Sequence, residues 1–451
     1  MRIIQVGVPA IAMSALLMIG AHTSAVQAAG RNAGPQEPYT HEPMPPGFQV
    51  VYNELEGPLY ADADGKTLYT WPMRSDGIDT VGEEAGKPTC GDDVVQTTIT
   101  LNDIYHAGLL LPQPRSCVQE WPPVLAPADA KPVGSWTIVA RPDGRKQWAY
   151  EGYALYTSIL DKQKGDALSA THQKTRGVSA RKLVSPSPLI PPQFKIVEMS
   201  TGRLITTDVG ESVYTWDKDG LNKSNCDGDC LKEWSPVLAA DLTRPIGEWT
   251  TFERAPGVKQ WAFRQRAVYT HIYDDKENSL DGGDVPAWHN VYEEHAPAPP
   301  KEFTVQDTRS GQVLADSHGK TIYVYNCIEP TVDELACDNP DSPQLYRFTV
   351  CGSGNVAKCL QTFPYVIAAK NAESGNRTWT AIDINPETGH RAAPGEAGSL
   401  HVWAYRERPV YTFAGDKRPG EIGADSWGQE YGDRNGFKAF WLRDVYDIND
   451  E

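Results

Sequence analysis

An internal repeat constrains this chain more than any other feature. Three stretches open alike: Pro45-Pro46-Gly47-Phe48-Gln49-Val50, Pro191-Pro192-Gln193-Phe194-Lys195-Ile196 and Pro299-Pro300-Lys301-Glu302-Phe303-Thr304-Val305. The same landmarks then follow in the same order. A turn-flanked tyrosine comes first, in Tyr69-Thr70-Trp71, Tyr214-Thr215-Trp216 and Tyr323-Val324-Tyr325. A cysteine lies four residues before an aromatic: Cys117 and Trp121, Cys230 and Trp234, Cys359 and Phe363. Paired tryptophans come next, Trp136 with Trp148, Trp249 with Trp261 and, around an insertion, Trp379 with Trp403. Eight residues after each second tryptophan sits Tyr156, Tyr269 or Tyr411, and five residues further on sits Asp161, Asp274 or Asp416. So many shared offsets are the signature of tandem units.

Each unit divides again into halves. Tyr214 and Asp219 repeat the offset of Tyr269 and Asp274, whereas Arg74 and Ile328 break it in the first halves of the outer units. The local pattern is β. Trp148-Ala149-Tyr150 and Leu155-Tyr156-Thr157 are short aromatic and β-branched runs around a Glu151-Gly152 turn. Asp64-Gly65 and Asp143-Gly144 are dipeptides suited to two-residue hairpins. The expected fold is all-β: three tandem small β domains, each made of two hairpin-bearing half-repeats, stapled by disulfides. The expected boundaries are a signal peptide at 1–29, a Pro-rich N-terminal linker at 30–47, β repeat units at 48–184, 194–295 and 303–451, and Pro-rich linkers at 185–193 and 296–302. The alternative is a single closed six-bladed assembly. Proline-rich segments read as extended spacers and favour separate units. Short helices are expected around Asn102 to Leu110 and in the Cys-to-aromatic segments, such as Cys230 to Trp234.

Compartment follows from the N-terminus. Arg2, the apolar run from Val6 to Ala21 and the small residues Ser24-Ala25-Val26-Gln27-Ala28-Ala29 read as a secretory signal. Beyond it no stretch is apolar for the ~20 residues a membrane span needs. The location expected is periplasmic or secreted. With 59 acidic against 42 basic residues, the formal charge of -17 argues against a nucleic-acid partner. All eight cysteines, Cys90, Cys117, Cys226, Cys230, Cys327, Cys337, Cys351 and Cys359, lie after the signal, so four disulfides are the default reading. Cys-x-x-Cys does not occur.

The repeats resemble a secreted bacterial family of predicted lipoproteins with a Tyr-x-(Phe/Trp/Tyr)-x-x-Asp motif, to which no function is assigned. Its second-half pattern resembles Lys146-Gln147-Trp148-Ala149-Tyr150 through Tyr156 to Asp161, Gly165 and Asp166. Its first-half pattern resembles Leu204 through Tyr214-Thr215-Trp216 and Asp219 to Cys226-Asp227-Gly228-Asp229-Cys230 and Trp234. The resemblance implies an exported β-repeat protein and no particular reaction. Members are often lipid-anchored, but no cysteine stands at this cleavage site. Matching positions pair Cys90 with Cys117 and Cys226 with Cys230. In the third unit they pair Cys337 with Cys359, leaving Cys327 with Cys351; Cys327 with Cys337 and Cys351 with Cys359 is the other possibility.

Two readings of the recurring residues stay open. Tyr69, Trp71, Tyr156, Asp161, Tyr214, Trp216, Asp219, Tyr269, Asp274, Tyr323, Tyr325, Tyr411 and Asp416 either form ligand platforms, with aromatic faces for sugars or cations, or fill small cores with the aspartates capping turns. The acidic loops holding Asp217, Asp219, Asp274, Asp275, Asp281 and Asp284 have calcium-like oxygen density without the spacing of an EF-hand. No serine-nucleophile elbow, phosphate loop or dinucleotide fingerprint occurs. No cofactor is identified. The function expected is a non-catalytic binding or accessory protein of the bacterial envelope, with an unknown envelope protein or small ligand as partner. The alternatives are an accessory redox or metal-handling protein of the periplasm, with Cys226–Cys230 as the reducible pair, and a carbohydrate-binding or carbohydrate-active protein.

Overall fold

The computed structural model describes residues 38–75, 80–93, 97–99, 109–111, 116–169, 182–274, 276–326, 339–341, 345–425 and 436–443. Residues 37–451 form one compact unit. The signal segment, residues 102–108, Asp275, Cys327, Ile328 and Cys337 lie outside the described residues.

The structure is built from small antiparallel sheets, as the short aromatic and β-branched runs require. Every strand pairing among the described residues stays within 38–188, 194–295 or 304–443. Each of these three segments opens on a hairpin: Gln49–Asn53 with Gly57–Ala61, Phe194–Met199 with Gly202–Thr207, and Thr304–Thr308 with Gly311–Ala315. A longer hairpin carries the paired tryptophans: Trp136–Ala140 with Lys146–Tyr150, Trp249–Ala255 with Val258–Phe263, and Trp379–Ile384 with Leu400–Tyr405.

The proline pairs do more than space these segments. The N–H groups of Phe48, Phe194 and Phe303 donate to Pro45, Pro191 and Pro300 carbonyls at 3.3, 3.0 and 2.9 Å. The resulting turn swings each phenylalanine into its tryptophan pair. Phe48 lies 4.7 and 5.7 Å from Trp136 and Trp148, Phe194 lies 4.0 and 6.0 Å from Trp249 and Trp261, and Phe303 lies 5.4 and 5.8 Å from Trp379 and Trp403. Offset and edge-on contacts at these distances are the favoured aromatic geometries. Residues expected as a free spacer at 185–193 are likewise held. Leu189 N–H donates to Pro38 at 2.7 Å, and Ile190 packs on the core of the second segment.

Turn chemistry differs from expectation at the Asp-Gly sites. Asp62 and Lys66 close a three-residue loop in which Gly65 takes φ +82°, and Arg141 to Arg145 repeats it with Gly144 at +81°. A type I turn followed by a left-handed glycine gives this bulged hairpin. Glu151-Gly152 is the two-residue turn expected, with φ values of 49° and 87°. Arg264-Gln265 and Arg406-Glu407 occupy the same place with positive φ and no glycine.

Two helices were not legible as helical periods: Leu345–Gly352 and Val356–Thr362. They carry Cys351 and Cys359, whose Cα atoms lie 4.7 Å apart in a disulfide. Cys359 therefore does not pair with Cys337; its partner is on the adjacent helix. Cys90–Cys117 and Cys226–Cys230 pair as the matching positions implied. Short helical turns do form at Cys117–Glu120 and Cys230–Lys232, but Leu109–Leu111 is a strand.

Contacts join all three segments pairwise. Buried Glu56, in the first hairpin, is the junction. Its carboxylate pairs with Arg406 of the third segment at 2.9 Å, and its carbonyl accepts from Arg203 of the second. Arg203 also pairs with Glu293 at 2.7 Å, and Arg406 donates to the Ala167 carbonyl at 2.6 Å. Ser200 Oγ donates to Trp441 O at 2.7 Å, closing the second segment on the third.

Removing one partner of a buried ion pair leaves a desolvated charge. Arg406→Met is therefore expected to lower stability by about 3–5 kcal/mol, and adding Glu56→Leu to recover most of the loss. Urea unfolding of the mature chain measures both.

Candidate functional site

The repeat motif assembles across the halves. The strand bearing the first-half tyrosine lies antiparallel to the second-half tyrosine, and the two tyrosines stand opposite each other in register. Tyr69 meets Tyr156, Tyr214 meets Tyr269, and Tyr323 meets Tyr411. All six are fully buried. A third strand flanks the first-half tyrosine, through Leu183, Asn290 and Ala439.

Each first-half phenol reaches the carboxylate of the other half. Tyr69 donates to Asp161 at 2.9 Å, Tyr214 to Asp274 at 2.8 Å, and Tyr323 to Asp416 at 2.7 Å. In the second segment the exchange is reciprocal, because Tyr269 donates to Asp219 at 2.7 Å. Near-two-fold pairing at the tyrosines explains the five-residue offset: the carboxylate of one half folds back to the phenol tip of the other. The second carboxylate oxygen caps a turn. Asp161 accepts from Leu168 N, Asp219 from Asn225 N and Asp416 from Gly423 N, at 3.0, 2.7 and 2.9 Å.

The first segment replaces its missing aspartate with a glutamate, and the third packs a cation on the tyrosine ring. Tyr156 donates to Glu83 at 2.7 Å; buried Glu83 also accepts from the Thr89 and Cys90 N–H groups at 2.7 and 3.2 Å. Tyr411 instead lies under the buried Arg347 guanidinium, 4.9 Å from its ring centroid. Neither Glu83 nor Arg347 sits at a repeated offset, so no sequence signal pointed to them.

A second device was legible but unread. Arg141 and Arg254 each lie five residues after the first tryptophan of their segments, and Gln147 and Gln260 precede the second. Arg141 donates to Gln147 at 2.6 Å and to the Cys90 carbonyl at 2.9 Å, while Gln147 donates to Leu155 O at 2.7 Å. Arg254, Gln260, Cys226 and Val268 repeat this arrangement. The guanidinium thus ties the cysteine loop of one half to the tyrosine strand of the other. In the third segment Val402 replaces the glutamine.

Burial sets the electrostatics. It pushes the Asp161 carboxyl up to about 7 and Asp274 up to about 6, and raises Asp416 as well. The phenols of Tyr69, Tyr214, Tyr269 and Tyr323 are held well above their usual range, first by burial, so they remain donors.

The acidic-loop candidates do not converge. Asp217 pairs with His289 at 2.9 Å, Asp219 and Asp274 serve the tyrosines, Asp284 pairs with Arg443, and Asp281 opens a short turn ending at Asp284. Asp275 lies outside the described residues. Among the described residues no group of three or more His, Cys, Asp or Glu side chains is placed to hold a metal ion. Trp71 and Trp216 follow the first-half tyrosines; Trp216 is half-buried and stacks on Trp288, and buried Tyr325 meets Phe437 edge-on.

Two outcomes follow. Tyr269→Phe removes the donor from a buried carboxylate and is expected to cost about 1–3 kcal/mol; a double-mutant cycle with Asp219→Asn isolates the coupling. Asp161, Asp274, Asp416 and Glu293 all bind protons more tightly in the folded chain than in the unfolded one, chiefly through burial. Their stabilisation is complete below the ordinary carboxylate value and is lost as pH rises through the folded values. His295, held low by burial, opposes them with a single proton. The melting temperature is therefore expected to fall from pH 5 to pH 8, with a shallower slope in Asp161→Asn, by scanning calorimetry.

Among the described residues no helix is long and apolar enough to cross a membrane. No curated protein and no solved structure matches the chain. The two half-repeats at residues 137–174 and 195–238 match a family described as a secreted repeat of unknown function, in agreement with the motif resemblance.

Proposed function

We propose that this chain is an exported envelope protein that binds a partner or ligand and carries out no reaction of its own. The supporting observation is the fate of the recurring polar groups. Phenols and carboxylates that would serve as ligand platforms are buried and bonded to one another. The motif therefore builds the scaffold, and recognition is left to the outer surface.

That surface carries apolar groups in corresponding places. Val50 and Val305 each lie two residues after the opening phenylalanine, on an edge strand, and are 46% and 53% exposed; Tyr52, on the same edge as Val50, is 57% exposed. Exposed strand edges with apolar side chains are sites where an extended chain can add. In this reading the boundaries at 48–184, 194–295 and 303–451 mark three structural repeats within one binding protein, and the compartment is the periplasm or the medium.

Purification from the native host tests the reading. The mature chain is expected in the soluble envelope or medium fraction, without bound cofactor or turnover, and in a complex that Tyr52→Lys and Val305→Lys weaken. Measurable turnover, a stoichiometric cofactor or metal, or indifference of the complex to both substitutions overturns it.

A further inference from the structure

A column of aromatic rings runs through the second segment. Trp216 stacks on Trp288 at 5.3 Å with planes 12° apart, and Trp288 on Trp234 at 3.6 Å and 4°. Trp234 stacks on His271 at 4.3 Å, and His271 meets Tyr273 edge-on at 5.4 Å. Tyr273 is 64% exposed, so one end of the column is open to solvent. The other end is half-buried Trp216, with the Lys218 ammonium 5.2 Å from its centroid. Tyr269 lies 5.1 Å from Trp288, and its phenol donates to Asp219 at 2.7 Å.

The third segment builds a related cluster from three phenylalanines and a tyrosine, with Tyr325 edge-on where Trp216 is stacked. Phe437 stacks on Phe363 at 3.6 Å and 1°, Phe413 lies 5.1 Å from Phe363, and Tyr325 meets Phe437 at 5.2 Å. The positions correspond. Phe437 is opposite Tyr325 as Trp288 is opposite Trp216, and Phe413 follows Tyr411 by two residues as His271 follows Tyr269. Packing at this place therefore needs flat rings and does not need indoles. What the second segment adds is an oxidisable ring at the central position. Trp288 links Trp216 to the carboxylate-bonded phenol of Tyr269, whereas Phe437, a benzene ring that does not yield an electron to strong one-electron oxidants, lies between Tyr325 and Tyr411.

We propose that the stacked Trp216–Trp288 pair of this column is a one-electron relay that carries an oxidising equivalent from the surface to the Tyr269–Asp219 pair. The oxidant is a high-potential metal complex or an oxygen-derived radical meeting the exported chain. It takes one electron from Trp216 and is reduced, leaving an indole radical cation. The vacancy passes to Trp288. Tyr269 fills it with one electron and gives its phenolic proton to the Asp219 carboxylate. The products are the reduced oxidant, a neutral tyrosyl radical and a protonated Asp219, so charge and protons balance.

Rapid mixing of the mature protein with hexachloroiridate(IV), followed by freeze-quench electron paramagnetic resonance, tests this. The unaltered chain is expected to consume oxidant in a fast phase and form a tyrosyl radical. Trp288→Phe, the ring used in the third segment, is expected to lose the tyrosyl radical and to hold the radical at Trp216. Tyr269→Phe is expected to keep the fast phase and give a tryptophanyl signal instead. A tyrosyl signal undiminished in Trp288→Phe overturns the proposal. Should that variant not fold, peptide mapping of the unaltered chain after sub-stoichiometric oxidation decides. First modification at Trp216, Trp234, Trp288 or Tyr269 supports the relay, and first modification at exposed Tyr52 or elsewhere overturns it.

Discussion

The cross-half bond between a buried phenol and a buried carboxylate is the interaction on which the rest of the structure depends. Neither group is tolerable alone in an apolar interior, since an unpaired buried polar group costs of order 1–3 kcal/mol and an unpaired charge more. Each half-repeat therefore requires the other. Pairing the tyrosine strands in register satisfies both groups at once, and the spare carboxylate oxygen organises the following loop. Where the first segment lacks the aspartate, the position is not left empty: Glu83 arrives from elsewhere in the chain.

The same logic links the segments. Glu56, Arg203 and Arg406 are buried where the three meet, and each finds its partner on another segment. A charge buried in this way contributes less to net stability than to the choice of one arrangement over others, because any other docking leaves it unpaired. The prolines act in the same direction. Their turns seat Phe48, Phe194 and Phe303 between the tryptophans and shorten the path between segments.

Much of this architecture was legible in the sequence because it is periodic. The fixed offsets of Tyr214, Asp219, Tyr269 and Asp274 marked the half-repeats, and short β-branched and aromatic runs marked the strands. The helix at Leu345–Gly352 was missed because it is too short to show a period, and Val356–Thr362 was expected only over its Cys-to-aromatic end. The Cys351–Cys359 pairing could not be chosen from spacing, since disulfide connectivity depends on how the chain folds back. The Asp-Gly turns were recognised, but their length was set by strand register, which no dipeptide encodes.

The sequence by itself determined the repeat, the β character and the residues that must be buried together, because these depend on local pattern and residue type. Only the tertiary structure decided which phenol meets which carboxylate, that Glu83 stands in for an absent aspartate, that Glu56 joins three segments, and that Trp288 stacks on Trp234 where another repeat stacks two phenylalanines. The reason is distance along the chain. Pairs such as Tyr69 and Asp161, or Glu56 and Arg406, come together only when strands far apart in sequence share a sheet or a junction.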